Sequence, residues 1–351
     1  MPLRQHLSLI FSIMAVITAG QTHLYGDANH ERLCECITAC QCGATGHQGP
    51  EIHSQPCCED AEDRLWSIST RGITANVCQA NLEQPNLRVS RLSMNGSGTP
   101  SDLDQYTEQL GQSRQVIVYV HGNRMSSNNA IRRGLQVYRK TRGCSEREGI
   151  DWVIWSWPSD KEGILIHDAR RKFRRLDAQG LYLSWLLRKH VSANTPTTLI
   201  GYSFGGRVIT GALHALSGGK LGGRLMPGEP TTGTLFRCGL VAPALESLAL
   251  TQRGVHSQAT KNLEKMVLLY NRRDAVLKRF WLLNRVRGTM ALGYSGPASF
   301  APRFDGTKLK VVSRDCSSSV GINHVELDYY NSACSAGPEM AALINDGMQS
   351  E

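Results

Sequence analysis

Ser203 lies between two glycines in Gly201-Tyr202-Ser203-Phe204-Gly205, and this spacing is the chain's clearest chemical signature. A serine hydroxyl attacks an acyl carbon only when an imidazole takes its proton and a carboxylate orients that imidazole. Gly-x-Ser-x-Gly supplies such a serine when it forms the sharp turn between a strand and a helix. The turn strains the serine backbone, so small residues are needed two positions to either side, where a Cβ would collide with the neighbouring strand or helix. The motif alone is weak: with 34 Gly in 351 residues, about 0.3 matches arise by chance, so its surroundings decide. Thr197-Thr198-Leu199-Ile200 ahead of it reads as a strand, and Arg207 to Leu216 behind it as a helix.

In folds built on this elbow the chain order is serine, acid, histidine. Only His214, His256 and His324 follow Ser203. His214 sits on the helix leaving the elbow, about three turns along and out of reach. His256 precedes a strand expected at Met266 to Tyr270, at that strand's N-terminal end. His324 follows the last expected strand, Lys308 to Val312, on the C-terminal side where active loops of parallel sheets collect. His324 is therefore the expected base. Asp274, a few residues past Tyr270, is the expected acid, with Glu246 and Asp315 as rivals. Asp274 would also suit the N-cap of a helix through Leu277 and Phe280. An anionic tetrahedral intermediate needs backbone donors. The Phe204 N–H is one, and the Asn123 N–H in His121-Gly122-Asn123-Arg124 is the expected second. His121 precedes Ser203 and is expected to shape that loop. Ser295, in Gly293-Tyr294-Ser295-Gly296, is the reserve nucleophile.

These residues need a framework that holds strand ends side by side. Leu65 to Thr70 and Leu87 to Leu92 read as early strands, followed by a polar loop through Asn95-Gly96-Ser97-Gly98. Gln115 to Val120 is near-continuously apolar, as befits a strand covered on both faces in a parallel sheet. Ser126 or Ser127 can cap a helix with Ile131, Leu135 and Tyr138 on one stripe. Trp152 to Trp157 is a strand closed by Pro158, and Leu176 to His190 an amphipathic helix. Leu235 to Leu245 is a further strand, and Pro338 to Met348 a closing helix. Strands alternating with helices predict an α/β layered fold with a mostly parallel sheet. Residues 159–175 and 217–233 are expected to line the substrate pocket, whose specificity the sequence does not identify.

The composition is that of a soluble globular protein, 41% hydrophobic and 20% charged, with a formal net charge of +9. That charge makes an anionic surface a candidate partner. The basic residues are scattered apart from Arg170-Arg171-Lys172-Phe173-Arg174-Arg175, read as a solvated loop or helix face, and no nucleic-acid module is recognisable. Residues 1–20 read as an export signal: Arg4, an apolar stretch from Leu7 to Ala19, then small Ala19 and Gly20. An uncleaved signal would act as an anchor, although the stretch is short for a membrane span. Residues 21–62 form a segment rich in cysteine (Cys34, Cys36, Cys40, Cys42, Cys57, Cys58) ahead of the domain at 63–351. Disulfides suit these cysteines better than a metal site with His47 and His53, because their spacing departs from that of common zinc sites. The total of 11 cysteines is odd, so at least one is free or pairs between chains. Cys316 and Cys334 bracket His324 and are expected to form a disulfide restricting its loop.

Val116 to Asn123, Gly201 to Gly205, Asp274 and His324 together resemble the α/β-hydrolase superfamily over about residues 110–345. Within it the chain is similar to an uncharacterised bacterial branch, through its Tyr-Val-His-Gly strand end and Ala291-Leu292-Gly293-Tyr294-Ser295-Gly296-Pro297. The resemblance implies an eight-stranded, mostly parallel sheet and a Ser-His-Asp triad with no metal or organic cofactor. It implies an ester or related acyl substrate, small molecule or lipid, without naming one. The competing expectation is a non-catalytic binding protein on the same scaffold, because a fold by itself does not establish activity.

Overall fold

The computed structural model describes residues 62–346 apart from 113, 148, 164, 285 and 287. The expected export signal and residues 21–61 of the cysteine-rich segment lie outside the described residues. Nine strands form one sheet: β1 (Arg64–Ser69), β2 (Arg88–Leu92), β3 (Gly98–Ser101), β4 (Val116–Val120), β5 (Asp151–Ser156), β6 (Thr197–Tyr202), β7 (Phe236–Val241), β8 (Leu263–Tyr270) and β9 (Lys310–Asp315). Their spatial order is β3-β2-β1-β5-β4-β6-β7-β8-β9, and only β2 runs against the rest. Every residue of β4, β5, β6 and β7 is buried, which is why these strands read as continuous rather than alternating apolar runs.

One strand exceeds the eight implied by the resemblance. The expected loop after β2 turns at Gly96 (φ 89°) and returns as the edge strand β3. Pro100 is tolerated there because an edge strand leaves one row of backbone groups unpaired.

The main helices are α1 (Leu103–Glu108), α2 (Ser127–Arg142), α3 (Leu165–Ser192), α4 (Phe204–Leu216), α5 (Glu326–Asn331) and α6 (Ala336–Asn345). Ser126 caps α2, its hydroxyl accepting from the Asn129 N–H at 3.3 Å. Helix α3 starts well before the expected Leu176 and takes in the whole basic run. That run is only partly a solvated face. Lys172 is fully buried, 2.6 Å from an equally buried Asp168 one turn earlier, and its ammonium donates to the Ser159 carbonyl at 3.1 Å. An i,i+4 pair closed this way extends the helix through residues whose composition alone looked solvated.

Residues 217–233 do not border the elbow. The 13 residues of α4 carry the chain about 20 Å away from Ser203. The following loop is tied to Val77 through Arg224 (2.7 Å) and to Lys261, just ahead of β8, through the Gly233 N–H (3.0 Å). The Lys261 contact places the end of the loop at the N-terminal edge of the sheet, and its middle packs back along α3 and α4, where Leu221 lies against Gly180 and Gly211. Residues 159–175 do approach the elbow, where the Phe173 ring lies 5.9 Å from that of Phe204.

The Cys316–Cys334 disulfide is present, closing a separation of 18 residues around His324 with Cα atoms 5.2 Å apart. A loop of that length corresponds to about 3 kcal/mol of restricted unfolded-chain entropy.

Candidate active site

Ser203 follows β6 in a conformation L-residues rarely adopt, φ 53° and ψ −118°. Three backbone hydrogen bonds hold it: its N–H donates to Val241 (3.0 Å), and its carbonyl accepts from Gly206 (3.1 Å) and Ala244 (3.0 Å). The glycines are required by close approach. A Cβ on Gly201 would lie 2.7 Å from Ile209 Cδ1 and 2.9 Å from the Gly205 carbonyl carbon. A Cβ on Gly205 would overlap the Val120 carbonyl at the end of β4. Because that obstacle is backbone, Gly205→Ala should destabilise the protein by about 3 kcal/mol or more. Urea unfolding of the variant measures this, and a loss under about 1 kcal/mol would show that the elbow can shift.

The structure brings the three expected triad residues together. His324 Nε2 lies 2.9 Å from Ser203 Oγ, and His324 Nδ1 lies 2.6 Å from Asp274 Oδ2. Asp274 is fully buried, and its two oxygens have separate partners. Oδ2 faces the imidazole, while Oδ1 accepts the N–H groups of Val276 (2.9 Å) and Leu277 (2.8 Å). The capping arrangement expected as an alternative therefore coexists with the histidine contact. The histidine loop is fastened on the Asp274 side by Ala275 N–H to the Ile322 carbonyl (3.0 Å) and Asn271 Nδ2 to the Gly321 carbonyl (2.8 Å). Tyr202 stacks on the His324 ring at 5.2 Å, and its hydroxyl donates to the His324 carbonyl at 3.0 Å.

The remaining candidates are engaged elsewhere. Glu246 forms an ion pair with Arg207. Asp315 caps a turn by accepting from the Ser317 N–H at 2.9 Å, and it lies 3.6 Å from Arg272. His214 accepts from the Gln258 N–H (3.1 Å) and packs at 5.6 Å on His256, which bonds Thr210 (2.9 Å). The Ser295 hydroxyl donates to the Ala291 carbonyl at 3.2 Å within a single helical turn.

The loop after β4 lies against the elbow. A Cβ on Gly122 would stand 2.8 Å from the Tyr202 ring and 3.3 Å from Ser203 Cβ. Asn123 follows in this loop, and Phe204 opens α4 beside the serine. The buried His121 bonds the Gly122 carbonyl through Nδ1 (2.8 Å) and stacks on Trp157 at 5.5 Å. Arg124 has a left-handed backbone (φ 62°) and lies 3.6 Å from the buried Asp168. Arg71 donates to the Met125 carbonyl at 2.9 Å. Salt bridge and hydrogen bond together pin the loop from two sides.

A buried polar cluster behind His324 was not legible in the sequence. Glu326, two residues past the histidine, is buried. It accepts from the Tyr119 hydroxyl at 2.9 and 3.1 Å and lies 3.4 Å from Arg133. Burial pushes its carboxyl up to about 7. Tyr119 gave no signal because it sits inside an apolar strand run. A lone Glu two residues past His324 carries no pattern that marks it as buried.

Four buried histidines give the fold a distinct pH response. Burial pushes His121 and His190 down to about 3 and His214 to about 4, and it lowers His256 far below the usual imidazole range. Each is neutral when folded but binds a proton when unfolded below about 6.5, so its contribution is complete above that pH and is lost as pH falls. Each loss is on the order of 1 kcal/mol per pH unit. Glu326 acts oppositely: its raised value favours the folded state at low pH, and that contribution is lost as pH rises from about 4.5 towards 7. One carboxyl offsets one histidine, so the net expectation is a steep loss of stability below pH about 6.5. Urea unfolding at pH about 7.5 and about 5.5 checks it, and equal stabilities would contradict neutral burial.

Neither a protein-family model nor a curated protein matches this sequence. Among solved structures, the chain is similar to esterase B from Lactobacillus rhamnosis, at 14% identity and TM-score 0.39 over 83% of this chain and 90% of that one. It is also similar to the Pyrobaculum calidifontis esterase, at 12% identity and TM-score 0.35 over 77% and 83% of the two chains. A poly(3-hydroxybutyrate) depolymerase from Bordetella parapertussis matches at 15% identity and TM-score 0.37, over 77% and 87%. At these TM-scores the likenesses assign no activity. The chain's own topology is that of a mostly parallel, α/β-hydrolase-like sheet flanked by helices, with a serine elbow after a central strand.

Proposed function

We propose that the protein is a serine hydrolase that cleaves an ester or related acyl bond through an acyl-enzyme. The observation that carries this reading is the continuous hydrogen-bonded line from Ser203 Oγ through His324 to Asp274, at 2.9 and 2.6 Å. As Ser203 Oγ attacks the acyl carbon, its proton passes to His324 Nε2. The Asp274 carboxylate accepts the Nδ1–H, fixes the tautomer and balances the imidazolium charge. The N–H groups of Phe204 and Asn123 receive the oxyanion. Collapse expels the alcohol, which takes the proton from His324. Water activated by the same imidazole then releases the acid and restores the serine.

The apolar stretch from Leu7 to Ala19 and the Cys316–Cys334 disulfide support a place outside the reducing cytoplasm. A panel of p-nitrophenyl acyl esters of increasing chain length tests the activity. Saturable hydrolysis of at least one chain length is expected, and its rank order identifies the acyl preference. No turnover across the whole panel, by protein that also resists a fluorophosphonate, would remove this reading.

A further inference from the structure

The loops that follow β7, β8 and β9 hold much of the chain's excess charge and much of its exposed apolar surface. Residues 242–258, 271–301 and 316–325 contain seven Lys and Arg but only two acids, Glu246 and Asp274. Their surplus of five positive charges falls to four when Asp315, 3.6 Å from Arg272, is counted with them, close to half of the net +9. Both acids are already engaged, Glu246 with Arg207 and Asp274 with His324. Arg253, Arg273 and Lys278 are exposed, and among the described residues none of them has a carboxylate partner. Five of the ten large hydrophobic side chains exposed in the described structure lie on the same loops, among them Leu248 (62%), Val255 (54%), Met290 (49%) and Ile322 (53%).

Backbone contacts join these positions. Ser247, next to Leu248, donates its N–H to the Met290 carbonyl at 2.9 Å, and Gly254 folds back against the Leu248 carbonyl beside Val255. Asn271 N–H to the Gly293 carbonyl (2.8 Å) links that group to the β8 loop. Ala275 N–H to the Ile322 carbonyl (3.0 Å) brings Ile322 beside Arg273 and Asp274. Exposed apolar side chains interspersed with unpaired cations are the pattern of a surface that enters a lipid interface while its charges meet headgroups. A polyanion such as heparin would be served by the cations alone and gives no reason for Leu248 or Ile322 to be exposed.

We propose that this face docks on an anionic phospholipid bilayer and holds the Ser203 elbow against it. The substrate class would then be acyl esters presented at a membrane surface. That last step rests on the hydrolase reading, whereas docking does not. The test therefore uses the Ser203→Ala chain and reads binding alone, by co-sedimentation with vesicles. Phosphatidylcholine vesicles are compared with vesicles containing about 30 mol% phosphatidylglycerol, at ionic strengths of about 0.05 M and about 0.5 M.

Binding to the anionic vesicles, weakened by salt and much lower on phosphatidylcholine alone, is expected. Arg273→Ser combined with Lys278→Ser should weaken it about thirtyfold. Leu248→Ser combined with Ile322→Ser should weaken it about tenfold or more at unchanged charge. No sedimentation, or equal sedimentation with both vesicle types, would overturn the proposal. So would full binding by the Leu248/Ile322 variant together with heparin binding of similar strength, which would identify a general polyanion site. Hydrolysis of soluble esters is unaffected by any of these failures, so the two readings fail separately.

Discussion

Ser203→Ala should lower ester turnover by roughly 10⁵–10⁶-fold while leaving the protein folded. The size of the effect follows from what is lost, since the acyl-enzyme cannot form and His324 has no hydroxyl to deprotonate. Stability should change little, because the strained backbone at φ 53° is held by main-chain hydrogen bonds that alanine keeps. The only side-chain hydrogen bond removed is the 2.9 Å contact with His324 Nε2. Comparison of kcat and urea unfolding for both proteins checks the two halves together. Activity within about tenfold of wild type would exclude Ser203 as the nucleophile. Ser295 is poorly placed to replace it, because its hydroxyl is turned to the Ala291 carbonyl and bonds no imidazole among the described residues.

Asp274→Asn should reduce kcat by roughly 10²–10⁴-fold with a much smaller change in KM. The two jobs of this carboxylate decide how the variant behaves. An asparagine keeps the Val276 and Leu277 N–H groups satisfied only by turning its oxygen to the capping side. Its NH₂ then faces His324 Nδ1, the wrong polarity for the tautomer that accepts the serine proton. Turnover should therefore collapse while the fold loses little. Asp274→Ala removes the cap as well and should cost about 1 kcal/mol more. Glu246→Gln and Asp315→Asn should stay within about a few-fold of wild-type kcat, since each acid contacts an arginine or a turn rather than the histidine. Loss of activity in Glu246→Gln with normal turnover in Asp274→Asn would reassign the acid.

Much of this geometry was legible because its physical causes are local. Glycine at 201 is required by contacts within the strand-turn-helix unit and glycine at 205 by the Val120 carbonyl of the adjacent β4, and the motif marks both positions. His324 and Asp274 could be singled out because chain order and strand polarity leave few candidates on the correct side of the sheet. What stayed hidden depends on long-range packing. Lys172 sits in a run of five basic residues and one phenylalanine, and nothing in its neighbours marks it as the one fully buried against Asp168. The loop at 217–233 is rich in glycine and proline, and that composition does not say which edge of the sheet it starts from. Only the length of α4 shows that it starts from the opposite edge. Glu326 needs Tyr119 and Arg133 from two distant elements before its burial makes sense. Strand β3 exists because Gly96 reverses the chain beside an edge with unpaired backbone groups, a contribution outside the reach of strand propensity.

The central claim is that Ser203 is a nucleophile activated by His324. Incubation of the wild-type protein with a fluorophosphonate, followed by peptide mapping, tests it most directly. A single adduct on the peptide containing Tyr202-Ser203-Phe204 is expected, absent in Ser203→Ala and formed far more slowly in Asp274→Asn. An intact, folded protein that acquires no adduct, or one modified at another serine with Ser203 untouched, would contradict the claim and favour a binding protein on a hydrolase scaffold.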